Sequence, residues 1–422
     1  MSGMREESIQ EMISKCNRCG FCQDVCPTYA SSGNEFDVAR GRIRMMRMVE
    51  EGRYDLNADR VILAQVDQCL LCAACVKNCP SNVATDIILR RFREKILKKK
   101  GFSLFHSLLY RGVLTRQERL EKISALIRTL DRTKIRTHVA KVAAKTAFTF
   151  LSRATNYLPE TLAKPARSAV IKKTSKDRQA QICYFLGCGT NVFTPDTGLA
   201  SLKVLEKLGL SVEVPLISCC GGPHFASGDV HKARTLARRN IAILAEKNYD
   251  AIVSDCATCA HTLGDYASFF LKNDPVQKVI GKLKEKIKDI NSFVLEHSHS
   301  LNDYPIAASE KMVTYHDPCH AVRGLGVRDA PRQILKAIPG VVLVEMTGAD
   351  SCCGGAGAYS FRHPDMSQKI LNRKIEAIEK TGASVLSTSC PSCLLQLSYG
   401  LRVRNLDIKV LHPMELLAQS LE

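Results

Sequence analysis

No run of 18 apolar residues occurs anywhere in this 422-residue chain, so it has no segment that crosses a bilayer as a helix. The opening residues, Met1-Ser2-Gly3-Met4-Arg5-Glu6-Glu7, hold no apolar stretch of the kind that directs export, and a reducing, cytoplasmic setting is expected. Nucleotide fingerprints are missing too. Gly354-Gly355-Ala356-Gly357-Ala358-Tyr359 lacks the third glycine and a downstream ribose carboxylate, so the chain is expected to carry no flavin of its own. Cys256-Ala257-Thr258-Cys259-Ala260-His261 misses the c-type haem attachment motif by one residue, which argues against covalent haem.

What is present is cysteine and positive charge. The chain has 19 cysteines, a net charge of +18 and 45% apolar residues, enough to bury the cores of two or three domains. Two-thirds of the charge surplus lies in residues 101–180, where 17 Lys and Arg face 5 Asp and Glu. That stretch has apolar residues at helical spacing (Leu108, Leu109, Val113, Leu120, Ile123, Leu126, Ile127, Leu130) and reads as basic helices followed by a linker. A solvated face is the plain explanation of its charge. A sharper one is a surface that holds the chain peripherally on an anionic membrane, on the cytoplasmic face. No nucleic-acid-binding motif accompanies the charge, and no nucleic-acid partner is expected.

The cysteines are ordered. Cys16, Cys19, Cys22 and Cys26-Pro27, then Cys69, Cys72, Cys75 and Cys79-Pro80, both follow C-x2-C-x2-C-x3-C-P completely. In this pattern three thiolates wrap one cubane [4Fe–4S] cluster while the fourth reaches the neighbouring cluster. The expected sets are therefore Cys16, Cys19, Cys22 with Cys79, and Cys69, Cys72, Cys75 with Cys26. A pair of zinc sites is the alternative, but zinc cysteine pairs do not normally come as four closed by proline.

From about residue 181 short β-branched runs alternate with longer amphipathic ones, which predicts parallel βαβ units. Strands are expected at 182–186, 212–216 and 251–254, with helices at 195–209 and 229–247. The order then repeats, with strands at 313–316, 341–345 and 384–387 and helices near 328–338 and 365–381. Cysteine landmarks repeat with it: Cys188, Cys219-Cys220-Gly221-Gly222 and Cys256-x-x-Cys259, then Cys319, Cys352-Cys353-Gly354-Gly355 and Cys390-x-x-Cys393. The spacings are 31 and 36 residues in the first copy against 33 and 37 in the second, as an internal duplication produces. Each group falls at a strand end, where open α/β sheets collect ligands. Cys183 lies outside the matched set and reads as a structural cysteine. His224, His316, His320 and His363 flank the loops, and His316-Asp317-Pro318-Cys319-His320 is a candidate proton donor beside the cysteines. No catalytic residue is assigned.

Two complete ferredoxin motifs followed by duplicated Cys…Cys-Cys-Gly…Cys-x-x-Cys sets resemble the glycolate oxidase iron–sulfur subunit and the fused catalytic subunit of heterodisulfide reductase. The resemblance covers nearly the whole chain, the basic stretch least. It implies an α+β multidomain protein: an N-terminal α-helical ferredoxin-like domain (1–100) with two [4Fe–4S] clusters, a basic helical segment and linker (101–180), and two duplicated α/β CCG domains (181–300 and 301–422). It implies that Cys188, Cys219, Cys220, Cys256 and Cys259, and Cys319, Cys352, Cys353, Cys390 and Cys393, hold one or two further non-cubane [4Fe–4S] clusters. The function implied is that of an oxidoreductase subunit passing electrons from an FAD-containing 2-hydroxyacid dehydrogenase partner, of glycolate or D-lactate type, toward quinone or another membrane acceptor. A heterodisulfide reductase-like enzyme and a cluster- or zinc-stabilised scaffold are the alternatives.

Overall fold

The structure, a computed structural model, describes residues 7–56, 59–102, 106–132, 157–159, 162–173, 181–297 and 310–421. Up to residue 100 the described chain is helical between its cysteine loops. α1 (Ala39–Glu50) and α2 (Thr85–Lys100) supply most of the N-terminal core, in which Ile43, Met46, Ile88, Leu89 and Phe92 pack together with Met12, Ile62 and Val66. Much of the basic stretch, including 133–156 and 174–180, lies outside the described residues. α3 (Gln117–Arg132) is the helix expected there, but its apolar stripe is only partly used: Leu120 is buried whereas Leu126 is 61% exposed.

Two four-stranded sheets follow, and both are wholly parallel. The first has β1 (Ile182–Tyr184), β2 (Val212–Glu213), β3 (Ala251–Ser254) and β4 (Ile287–Asp289) in the order β2-β1-β3-β4. The second repeats it with β5 (Lys311–Tyr315), β6 (Val341–Leu343), β7 (Val385–Ser387) and β8 (Lys409–Leu411) in the order β6-β5-β7-β8. Parallel strands need helical crossovers. α4 (Pro195–Lys207) and α5 (Val230–Leu244) provide them in the first half, and α6 (Ala257–Gly264) carries the chain on from β3. In the second half α7 (Asp329–Ala337), α8 (Pro364–Glu379) and α9 (Pro391–Val403) take the same places.

The halves are not beads on a string. Tyr184, Leu202, Val204 and Ile290 share one apolar core with Val313, Tyr315, Leu335 and Met414. The last helix, α10 (Pro413–Ser420), lies against α4 of the first half: Thr197 Oγ1 donates to Glu415 Oε1 (2.6 Å) and Lys203 Nζ to the carbonyl of Ala418 (2.6 Å). This packing turns the strand ends of both halves toward each other and toward the N-terminal helices. No described helix is long and apolar enough to cross a membrane.

Candidate metal centres

The two N-terminal cysteine loops share a backbone shape. Arg18 and Gly20 in the first, and Leu71 and Ala73 in the second, have positive φ values of 58°, 96°, 54° and 57°. They stand two and four residues after the first cysteine of each run. Three of the four are not glycine and adopt the left-handed region at a cost, so matched strain marks loops shaped around their contents. The N–H of Leu71 points to Cys69 Sγ (3.4 Å) and that of Val83 to Cys79 Sγ (3.5 Å).

The fold then sorts the thiols across the motifs. Cys16, Cys19, Cys22 and Cys79 line one small cavity, with Cys75 also on its wall. Cys26, Cys69, Cys72 and Cys75 line a second. Four thiols and inward-pointing amides around each cavity are the donor set that a cubane [4Fe–4S] cluster takes.

The third cavity is larger, about 240 Å³, and all ten cysteines of the duplicated sets line it. Neighbouring thiols influence one another in one unbroken series, Cys188, Cys219, Cys220, Cys259, Cys256, Cys390, Cys393, Cys353, Cys352 and Cys319, and the sulfurs of Cys353 and Cys393 are 3.7 Å apart. Cys256 and Cys390 are the junction between the halves. Cys69 and Cys72 of the second small cavity also lie on this wall. The glycines after each Cys-Cys pair make the turn possible. Gly221 and Gly354 have φ values of 88° and 84°, and a Cβ on Gly354 would sit 2.8 Å from the carbonyl oxygen of Ser367.

Residues 182–264 and 313–398 match the cysteine-rich domain family CCG, and residues 12–83 match the 4Fe–4S dicluster domain family. The chain is 31% identical to the probable glycolate oxidase iron–sulfur subunit of Bacillus subtilis (strain 168), over 99% of this chain and 96% of that one. It belongs to the family of glycolate oxidase iron–sulfur subunits. Identity to the glycolate oxidase iron–sulfur subunit of Escherichia coli (strain K12) is 25% over the same shares, 99% and 96%. A component of the dihydromethanophenazine:CoB–CoM heterodisulfide reductase of Methanosarcina barkeri (strain Fusaro / DSM 804) is 27% identical over 97% of this chain and 94% of that one.

Three thiols of the series are held low by their neighbours. Hydrogen bonds from Cys219 and Cys259 hold the Cys220 thiol well below its ordinary value, and those from Cys352 and Cys393 do the same for Cys353. Cys390 is lowered likewise by Cys256 and Cys393. Thiolates are the form that binds metal. Burial pushes the Cys72 thiol far up, and the charge of neighbouring Cys319 adds to it, so the second ferredoxin loop faces the second duplicated set.

Of the four flanking histidines, His320 lines the large cavity, where its Nδ1 lies 2.9 Å from Thr258 Oγ1 and its ring stacks on His261. Burial lowers His320 to about 4 and His316 to about 3, so both rings are neutral near pH 7. His363 instead pairs with Asp67 (2.8 Å), and His224 is buried edge-on against Tyr110. Neither lines the cavity. Cys183 is fully buried within β1 and is also absent from its wall.

Sequence reasoning missed the buried cations. Arg42, 2% exposed, donates to the carbonyl oxygens of Asp37 (2.5 Å) and Gln65 (3.0 Å) beside the second small cavity. Arg93 donates to the carbonyls of Val66, Asp67, Cys69 (2.6 Å) and Ala226 (2.9 Å), tying the second ferredoxin loop to the first α/β half. In sequence they are arginines on basic amphipathic helices, like their solvated neighbours.

Proposed function

We propose that the chain is the electron-transfer subunit of a glycolate- or D-lactate-oxidising complex. A flavin-carrying partner removes hydride from C2 of the 2-hydroxyacid, and this chain carries the electrons one at a time toward quinone or another acceptor. One observation supports this most: the three thiol-lined cavities are contiguous. Cys75 lies on the walls of the first and second, and Cys69 and Cys72 on those of the second and third. In this reading Cys16, Cys19, Cys22 and Cys79 hold one [4Fe–4S] cluster, Cys26, Cys69, Cys72 and Cys75 another, and the two duplicated sets hold non-cubane clusters. The clusters supply one-electron redox chemistry. The chain's own residues present the thiolates, bury eight of the ten in the duplicated sets and bring the Cys72 loop against Cys319.

The size of the third cavity and the completeness of both five-cysteine sets favour a second reading, in which a disulfide enters the cavity. Two electrons and two protons would cleave it to two thiols, with His320 as the nearby proton carrier. The relative named as part of a heterodisulfide reductase supports it as well.

One comparison separates the two. Anaerobically purified, cluster-replete protein should bind more than about eight irons per chain, eight being the content of two cubes. On the preferred reading it oxidises no 2-hydroxyacid alone, and quinone reduction with glycolate or lactate appears when the flavoprotein partner is added. Cys352→Ser and Cys353→Ser then leave reduction of a dye by the partner intact and block delivery to quinone. Robust cleavage of a disulfide by the isolated chain with a chemical reductant would overturn this reading in favour of the second.

A further inference from the structure

His316 directly follows β5, three residues before Cys319, and its ring is completely buried. Nδ1 lies 3.1 Å from the carbonyl oxygen of Ala349. A carbonyl can only accept, so Nδ1 carries the hydrogen and Nε2 keeps a bare lone pair. Nε2 is buried without a hydrogen-bond partner. A ring nitrogen of His316 and the sulfurs of Cys353 and Cys393 lie within 4.8 Å of one another, and the two sulfurs are 3.7 Å apart. An imidazole beside two thiols, with one nitrogen anchored on a backbone carbonyl and the other buried without a partner, is held as metal-ligating histidines are held.

The duplication supplies its own control. Tyr184 and Cys188 correspond to Tyr315 and Cys319, so the place of His316 is taken in the first half by Phe185, which has no donor atom. A second exchange lies nearby. Sixteen residues before Cys256 stands Asn240, and sixteen before Cys390 stands Lys374. Asn240 is neutral and donates to the carbonyl of Cys219 (3.0 Å). The buried Lys374 ammonium donates to the carbonyls of Gly348 (2.6 Å) and Ala349 (3.3 Å), the latter being the group that anchors His316. The two cysteine sets match in spacing and differ in the groups around them.

We propose that the second set is a mixed nitrogen–sulfur site in which Nε2 of His316 ligates the cluster alongside Cys353 and Cys393, whereas the first set is sulfur only. This rests on the reading that the duplicated sets hold iron–sulfur clusters. A neutral imidazole ligand and the Lys374 charge both favour the reduced form, because each lessens the negative charge that an added electron must meet. The second set, which faces Cys72, is then the easier of the two to reduce.

The test is pulsed EPR of the intact, cluster-replete protein made with ¹⁵N-histidine and with ordinary histidine. A strongly coupled nitrogen that changes with the isotope is expected in the signal of one non-cubane cluster. It should vanish in His316→Phe, which copies the first half. His316→Cys should retain iron and shift the midpoint potential of that cluster downward. A non-cubane signal without strong histidine nitrogen coupling in the unsubstituted protein would overturn the ligation, whether or not either variant folds. Coupling that persists in His316→Phe would overturn it equally. Iron near eight per chain with no non-cubane signal would instead overturn the cluster reading of the duplicated sets, and this inference with it.

Discussion

Arg332 shows how single side chains hold the second half in shape. Its guanidinium grips both carboxylate oxygens of Asp317, at 2.8 and 2.9 Å, and also reaches Glu345. The Asp317 side chain is 2% exposed and that of Arg332 13%. Arg332→Ala would leave a buried carboxylate without its partner, and a loss on the order of 3 kcal/mol is expected in denaturant unfolding. A change below about 1 kcal/mol would mean that water replaces the guanidinium. The cysteines were legible because a cluster imposes residue type and spacing directly on the chain. Arg332, Arg93 and Lys374 were not, since nothing local distinguishes a buried cation from a solvated one until its carbonyl and carboxylate partners are assembled around it.

Among the elements, α10 carries its own pH dependence. His412 caps it: Nδ1 accepts from the N–H of Met414 (3.0 Å), while Nε2 donates to the carbonyl of Asp255 (3.0 Å) in the first half. Burial lowers the ring to about 4 from an ordinary 6.5. The neutral form is the one the fold accepts. Its contribution is therefore fully present above pH 6.5 and is lost as the pH falls from there through about 4, on the order of 3 kcal/mol in total. His412→Asn, which still caps, should show a smaller loss of stability across that window than the unsubstituted protein. Parallel curves would show that His412 does not titrate with unfolding. The central strands and their helices were readable from β-branched runs and helical periodicity, most of them to within two or three residues. β4 and β8 were not, because Ile287-Lys288-Asp289 and Lys409-Val410-Leu411 each hold a single β-branched residue. They exist through main-chain pairing with β3 and β7 rather than through a pattern of their own.

For the whole molecule, the decisive contacts join the N-terminal helices to the α/β halves. Asp67 pairs with Arg362 and His363 of the second half. Burial works against its charge, yet the His363 hydrogen bond and the guanidiniums of Arg362 and Arg93 hold its carboxyl well below the usual range. Cys79→Ser should accordingly damage the cluster bound by Cys16, Cys19 and Cys22, seen as loss of one of two coupled signals on reduction. Loss of the signal assigned to Cys69, Cys72 and Cys75 would show that ligation follows the sequence motifs and not the cavities. The sequence by itself determined the inventory: two ferredoxin motifs, a duplicated βαβ plan and ten paired cysteines, all encoded in short-range spacing that one strand end or loop must satisfy. Only the tertiary structure decided that the two halves share one core, that their ten thiols run together through Cys256 and Cys390, and that Cys72 meets Cys319. Those outcomes depend on which apolar faces bury against each other, a property of surfaces far apart in the chain that no local pattern records.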